Sequence, residues 1–161
     1  MKVIHWLDEN TEKVFLVFFS VIMVSVIFLQ VMMRQFGSSL SWSEELARYC
    51  FIWMIYIGIS LGVKEQKHVR IDAFLLLLNQ KGQMILNFIV NLLFMAFAIF
   101  VIIYGTEIAN QLLQFGQRSA AIRIPMGYVY MATPIGMGLT LIRLVQNQVS
   151  IVRSLVHKEV K

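Results

Sequence analysis

The chain has 161 residues, of which 58% are hydrophobic and only 14% charged. Soluble domains are apolar over nearer half of their residues and carry about a quarter of them charged, so the composition excludes an ordinary water-soluble domain. The net charge of +5 sits at the ends of long apolar stretches rather than on one patch. It reads as a membrane-topology signal and not as a nucleic-acid footprint. The single cysteine, Cys50, excludes an intrachain disulfide.

The first stretch, Met1–Lys13, mixes Val3, Ile4, Trp6 and Leu7 with Asp8, Glu9 and Glu12. It reads either as a segment lying on the membrane surface or as a solvated start to the first helix. Val14–Met33 follows without a charge for 20 residues, about 30 Å of helix, which crosses a hydrocarbon core. It is too long for the core of a signal peptide and no small-residue cleavage site follows, so it reads as a retained span. The next uncharged stretch, Tyr49–Val63, gives only about 22 Å of helix, so the second helix must begin earlier. Ser41, with Glu44 three residues on, predicts a capping box and a span from Trp42 to Val63. Val69–Leu78 is too short to cross, and Ile71, Phe74, Leu75 and Leu78 predict a short interfacial helix at about 69–79.

The third span, Ile85–Tyr104, holds Asn87 and Asn91 as its strongly polar groups, with helical character running on through Glu107 and Asn110 to Gly116, a helix stop. The fourth opens at Pro125, at home in a first helical turn, and runs to about Ile142. Pro134, Gly136 and Gly138 predict a kink inside it. No internal repeat, low-complexity tract or linker is evident.

The sequence thus describes an all-α integral membrane protein, one domain over residues 1–161, with transmembrane helices at about 14–33, 42–63, 85–104 and 125–142. Four spans put both termini on one side, together with the loop between spans two and three. That side holds ten Lys and Arg, against Arg34, Arg48, Arg118 and Arg123 on the other. The excess predicts cytoplasmic termini.

Several chemistries are missing. His5, His68 and His157 all lie outside the spans, where they cannot be axial haem ligands within a bundle. One cysteine cannot form the pair that a thiol oxidoreductase needs. No span carries an ionisable group at its centre, as a small proton-coupled exporter would. A phosphate loop and a metal-ligand cluster at proper spacing are absent too. The chain reads as no enzyme, with no cofactor of its own, and as a subunit of something larger. The rival readings are an electron-transfer protein and a stand-alone transporter acting as a homo-oligomer.

The most distinctive stretch is Trp42-Ser43-Glu44-Glu45-Leu46-Ala47-Arg48-Tyr49-Cys50-Phe51-Ile52-Trp53. Helical spacing lets both Glu44 and Glu45 reach the Arg48 guanidinium, while Tyr49, Trp53 and Tyr56 share a face. Such a cluster either anchors a partner subunit or is a helix start with an interfacial aromatic belt. Gly58 and Gly62 form a Gly-x-x-x-Gly step for close helix packing, and Asn87 and Asn91 suit hydrogen bonds across helices. His68 invites a pH-switch reading beside a plainer one, a solvated basic loop. Arg118 and Arg123 either meet a soluble partner or are merely wet.

Glu44-Glu45-Leu46-Ala47-Arg48-Tyr49, followed by His68-Val69-Arg70-Ile71-Asp72, resembles the small membrane subunit of tripartite ATP-independent periplasmic (TRAP) transporters, the DctQ-like family. In that family a similar stretch opens the second of four spans, and a His-Val-x-Ile/Val-Asp stretch closes the following loop. The resemblance implies a bacterial inner-membrane scaffold. Its partners would be a large elevator-type membrane subunit holding the substrate and sodium sites, and a periplasmic protein that captures an organic acid of sialic acid or dicarboxylate type. It implies subunit contacts through Trp42, Glu44, Glu45, Arg48, Tyr49, Trp53, Gly58 and Gly62. It also implies contact of Arg118 and Arg123 with the binding protein, and no role for nucleic acid.

Overall fold

A computed structural model describes residues 2–38, 40–65 and 79–159. Among them the fold is all-helical: α1 Lys2–Gln35, α2 Ser41–Lys64, α3 Gln80–Gln114, α4 Met126–Tyr130 and α5 Ala132–Glu159. The one departure is an isolated bridge between Arg118 and Pro125. Four stretches are long and apolar enough to cross a membrane: Asn10–Gln35, Ser41–Lys64, Ile85–Gln114 and Met126–Val149. The predicted interfacial helix and His68 lie outside the described residues.

The first and third helices are longer than a bilayer requires. α1 has 34 residues and α3 has 35, roughly 50 Å each. α1 is helical from Lys2, so the segment ahead of the span continues it. Both helices end in the same tripeptide, Gln35-Phe36-Gly37 and Gln114-Phe115-Gly116. Gly37 and Gly116 take φ of 75° and 61°, a left-handed conformation that costs glycine nothing. The chain then folds back, so that Ser38 N–H donates to Met33 O (3.1 Å) and Gln117 N–H to Leu112 O (3.2 Å). These bonds satisfy carbonyls that the helix end would otherwise strand.

The second and fourth spans depart from expectation in detail. The capping box at Ser41 does not form: Leu40 is the N-cap of α2 and no side chain caps the helix. The nearby hydroxyl that acts is Ser43, which donates to Leu40 O at 2.6 Å and is wholly buried. In the fourth span the break falls at Met131, between α4 and α5, one turn ahead of Pro134. Proline has no N–H to give to residue i−4, here Tyr130, and its ring crowds that carbonyl, so the helix parts there.

The helices stand in a row. α1 packs on α2, α2 on α5, and α5 on α3, with the short α4 also against α3. Along their lengths α1 and α3 form the two flanks and do not pack on each other. One end of the row carries the 36–40 turn and the 115–125 loop, and is here called the turn end. The other, the base, carries the start of α1 and the ends of α2 and α5. In the middle of the row α2 and α5 approach closely. A Cβ added at Gly136 of α5 would clash with the Tyr56 side chain and lie 3.0 Å from the Tyr56 carbonyl carbon. Gly127 of α4 is equally tight against Leu113 and the Ala109 carbonyl of α3 (2.8 Å). Backbones approach this closely only where a small residue faces them.

The outward faces are greasy. Phe18, Val21, Val24 and Phe28 of α1, and Leu93, Phe97, Phe100 and Ile103 of α3, are all exposed. Water would not tolerate so large an apolar surface, whereas lipid is its natural solvent. Gly136→Ala is expected to force α2 and α5 apart and to cost about 2 kcal/mol, the usual range for overpacking. A lowered thermal unfolding midpoint of the detergent-solubilised protein would register it.

Candidate functional site at the two ends of the helix row

At the turn end, one carboxylate organises a whole loop. Glu45, in the second turn of α2, accepts hydrogen bonds from three consecutive backbone amides of the α3–α4 loop. Ala120 N–H donates to Oε1 at 3.1 Å, and Ala121 and Ile122 N–H donate to Oε2 at 2.9 and 2.8 Å. The Tyr49 hydroxyl, one helical turn below, also donates to Oε1 at 2.7 Å. Bonds to an ionised acceptor are stronger than neutral ones, and here four converge on one group. The loop closes on itself as well. Ser119 N–H donates to Ile124 O (2.9 Å), Met126 N–H to Gln117 O (2.9 Å), and Ile124 N–H to the Ser119 hydroxyl (3.2 Å). Arg123 takes a φ of 62°, unusual for a residue with a side chain. Arg118 and Arg123 themselves point out, exposed.

The base holds a second hub. Glu12 of α1 is only 2% exposed. Its Oε1 accepts from Arg143 Nε of α5 at 2.6 Å, and its Oε2 from Lys64 Nζ of α2 at 3.2 Å. One carboxylate therefore ties three helices. Arg143 is steadied in turn by Gln146 Oε1 at 2.9 Å, and Lys13 pairs with Glu65 at 3.0 Å. Asn147 Nδ2 donates to Val63 O at 2.9 Å, satisfying a carbonyl of the last turn of α2, where the helix has no partner to offer. The ion pairs offset one another's cost of leaving water only because they are close and well bonded.

This geometry sorts the residues singled out in the sequence. Glu45, Tyr49 and Trp53 turn inward. Tyr49 is buried, and Trp53 stacks on Phe19 with ring centroids 6.2 Å apart. Glu44 and Arg48 are exposed, and among the described residues neither makes an ion pair. The expected sharing of Arg48 by both carboxylates does not occur, because the loop amides occupy Glu45. Trp42 is exposed on the side of α2 away from Glu44. At Gly58 an added Cβ would meet only Leu16, at 3.9 Å, and the close approach of α2 to α5 is made at Gly136. Asn87 and Asn91 are half-buried and, among the described residues, make no hydrogen bond across helices. The contact there comes from Gln148 Nε2, which donates to Phe88 O at 3.3 Å. Sequence reasoning missed the base hub, because Lys64 and Arg143 entered it only within the count of ten Lys and Arg that sets the topology. Its partners are 52 and 131 positions apart, and no local pattern links them.

Residues 23–154, most of the chain from the middle of α1 to near the end of α5, match the family model of the tripartite ATP-independent periplasmic transporters, DctQ component. The chain belongs to that family. It is 30% identical over 158 residues to a putative TRAP transporter small permease protein of Haemophilus influenzae, covering 98% of this chain and 96% of that one. It is 30% identical, over 94% of its length, to the isethionate TRAP transporter permease protein DctMQ of Oleidesulfovibrio alaskensis, of which it spans only 25%. A C4-dicarboxylate TRAP transporter small permease protein, DctQ of Rhodobacter capsulatus, is 34% identical over 113 residues, covering 68% of this chain and 48% of that one. A DctQ component is a transporter permease subunit and not an enzyme. Its two polar hubs accordingly serve to hold helices and a loop in place.

Two substitutions probe those hubs. Glu45→Gln places a donor where amides need an acceptor, and amides 120–122 are expected to exchange with deuterium at least about tenfold faster, while the base is unaffected. Hydrogen-exchange mass spectrometry of the protein in lipid discs reads this directly. Glu12→Ala removes the carboxylate that Arg143 and Lys64 share and is expected to cost about 3 kcal/mol, as when one partner of a buried ion pair is removed. Thermal unfolding in detergent measures that loss.

Proposed function

We propose that this chain braces a larger membrane subunit in the sodium-coupled uptake of a small organic anion, captured on the outer side by a soluble binding protein. The observation that carries this reading is where the charges are. At their centres, the four spans hold no Asp, Glu, Lys, Arg or His. A path for an ion or an anionic substrate through a bilayer needs polar or charged groups at its centre, and these helices offer packing surfaces instead. The chain is therefore a static scaffold, and sodium and substrate belong to the large subunit.

The relatives' names support the partner and the substrate class. The Oleidesulfovibrio protein is a permease about four times the length that this chain matches, as expected if small and large components function side by side. Isethionate and C4-dicarboxylates, named for two relatives, are both small organic anions, which favours the same class here, dicarboxylates and sialic acid included. The excess of Lys and Arg at the base favours cytoplasmic termini in a bacterial inner membrane. The Glu45-clasped loop then faces the periplasm and turns Arg118 and Arg123 toward the binding protein.

Reconstituted vesicles test the whole reading. With the large subunit and the binding protein present, uptake of the anion is expected to require an inward sodium gradient and to fall to background when this chain is omitted. Uptake by vesicles containing this chain alone would contradict it.

A further inference from the structure

The outward surface of the helix row is not uniform. On α1 the exposed side chains spread around the helix, and on α3 they are large and apolar from Leu93 to Ile103. The outward stripe of α5, Ile135, Leu139 and Ile142, is apolar too. Lipid satisfies all of these. α2 differs. Its exposed face narrows to Glu44, Arg48, Phe51 and Ile55 and continues down the same face through Gly58 and Gly62, both half-buried. The spacing along that line is four, three, four, three, four. This is the seam by which one helix packs into another in a left-handed pair.

Three features of the seam are unsatisfied by the chain itself. Glu44 and Arg48 are exposed charges that, among the described residues, have no ion-pair partner. Phe51 and Ile55 stand 47% and 43% exposed. Gly58 leaves open a place where a Cβ would touch only Leu16, although the chain makes its own close approaches elsewhere, at Gly136 and Gly127. Lipid tails gain nothing from a charge pair or from a glycine notch, whereas a second helix gains from both.

We propose that this stripe of α2, from Glu44 to Gly62, is the seat of a transmembrane helix of the large permease subunit. The inference rests on the reading above that such a subunit is the partner. The seated helix presents a small residue to the notch at Gly58 and groups of complementary charge to Glu44 and Arg48. The lipid-facing flanks, α1 and α3, stay free of it.

The test uses the complex of this chain with the large subunit, expressed together. A photo-crosslinking amino acid, p-benzoylphenylalanine, is placed at Phe51, at Ile55 or, on the α3 flank, at Phe97, and adducts are identified by mass. Positions 51 and 55 are expected to capture the large subunit and position 97 to capture lipid. Gly58→Ala is expected to lower recovery of the large subunit about tenfold while leaving the thermal unfolding of this chain alone unchanged, since the added Cβ would meet only Leu16, at 3.9 Å. Suppose positions 51 and 55 capture only lipid or a second copy of this chain, while the large subunit still co-purifies. The seat is then elsewhere and the scaffold reading stands. If the unaltered chain recovers no large subunit, the scaffold reading falls and this inference with it.

Discussion

Apolar helices in hydrocarbon gain little by hiding from lipid, because lipid is as apolar as they are. What orders such helices is whatever lipid cannot supply: a charge partner, a hydrogen-bond donor, or a backbone close enough for tight packing. In this chain those contacts fall at three levels. Glu12 gathers Lys64 and Arg143 at the base, Gly136 admits Tyr56 at mid-height, and Glu45 gathers the amides of residues 120–122 at the turn end. Each joins parts that are distant in sequence. Together they hold the hairpin α1–α2 against the hairpin α3–α5, although among the described residues the two flanking helices do not pack along each other.

The two carboxylates solve different problems with the same chemistry. Glu12 is nearly sealed from solvent, and such a charge is tolerable only with cations on both oxygens. Glu45 is half-buried at the edge of the row, and its partners are neutral amides of a loop that has few other anchors. Without it, residues 119–124 would keep only the loop's own internal bonds and lose their tie to the carboxylate of α2. With it, even the left-handed backbone of Arg123 is held. The polar groups near the ends of the spans thus shape the protein, and the apolar middle mainly sets the depth at which it sits.

That division suits a component whose family works within a transporter. The brace proposed above must keep its form beside a larger subunit. A row of helices pinned above and below, with one polar seam left open, meets that need better than a closed bundle that spends all its polar groups internally.

Much of this was legible in the residues alone. Hydropathy and length establish four spans, since a run of about twenty apolar residues has one stable home. Gly116 marks the end of α3, because left-handed backbone favours glycine, and Pro134 announces a break because it removes an amide. The Glu-Glu-Leu-Ala-Arg-Tyr stretch marks the family. What only the tertiary structure decided is which polar groups meet. Local spacing offers Arg48 to Glu45, and the fold instead brings it three amides from 75 to 77 positions away. Local spacing marks Gly136 only as part of a kink, and the fold uses it for the close approach of α5 to Tyr56 of α2. Periodicity along one helix reports only the neighbours that helix supplies itself. Contacts between helices depend on their order in the row, and the four spans are too alike in hydropathy to encode that order in any local pattern.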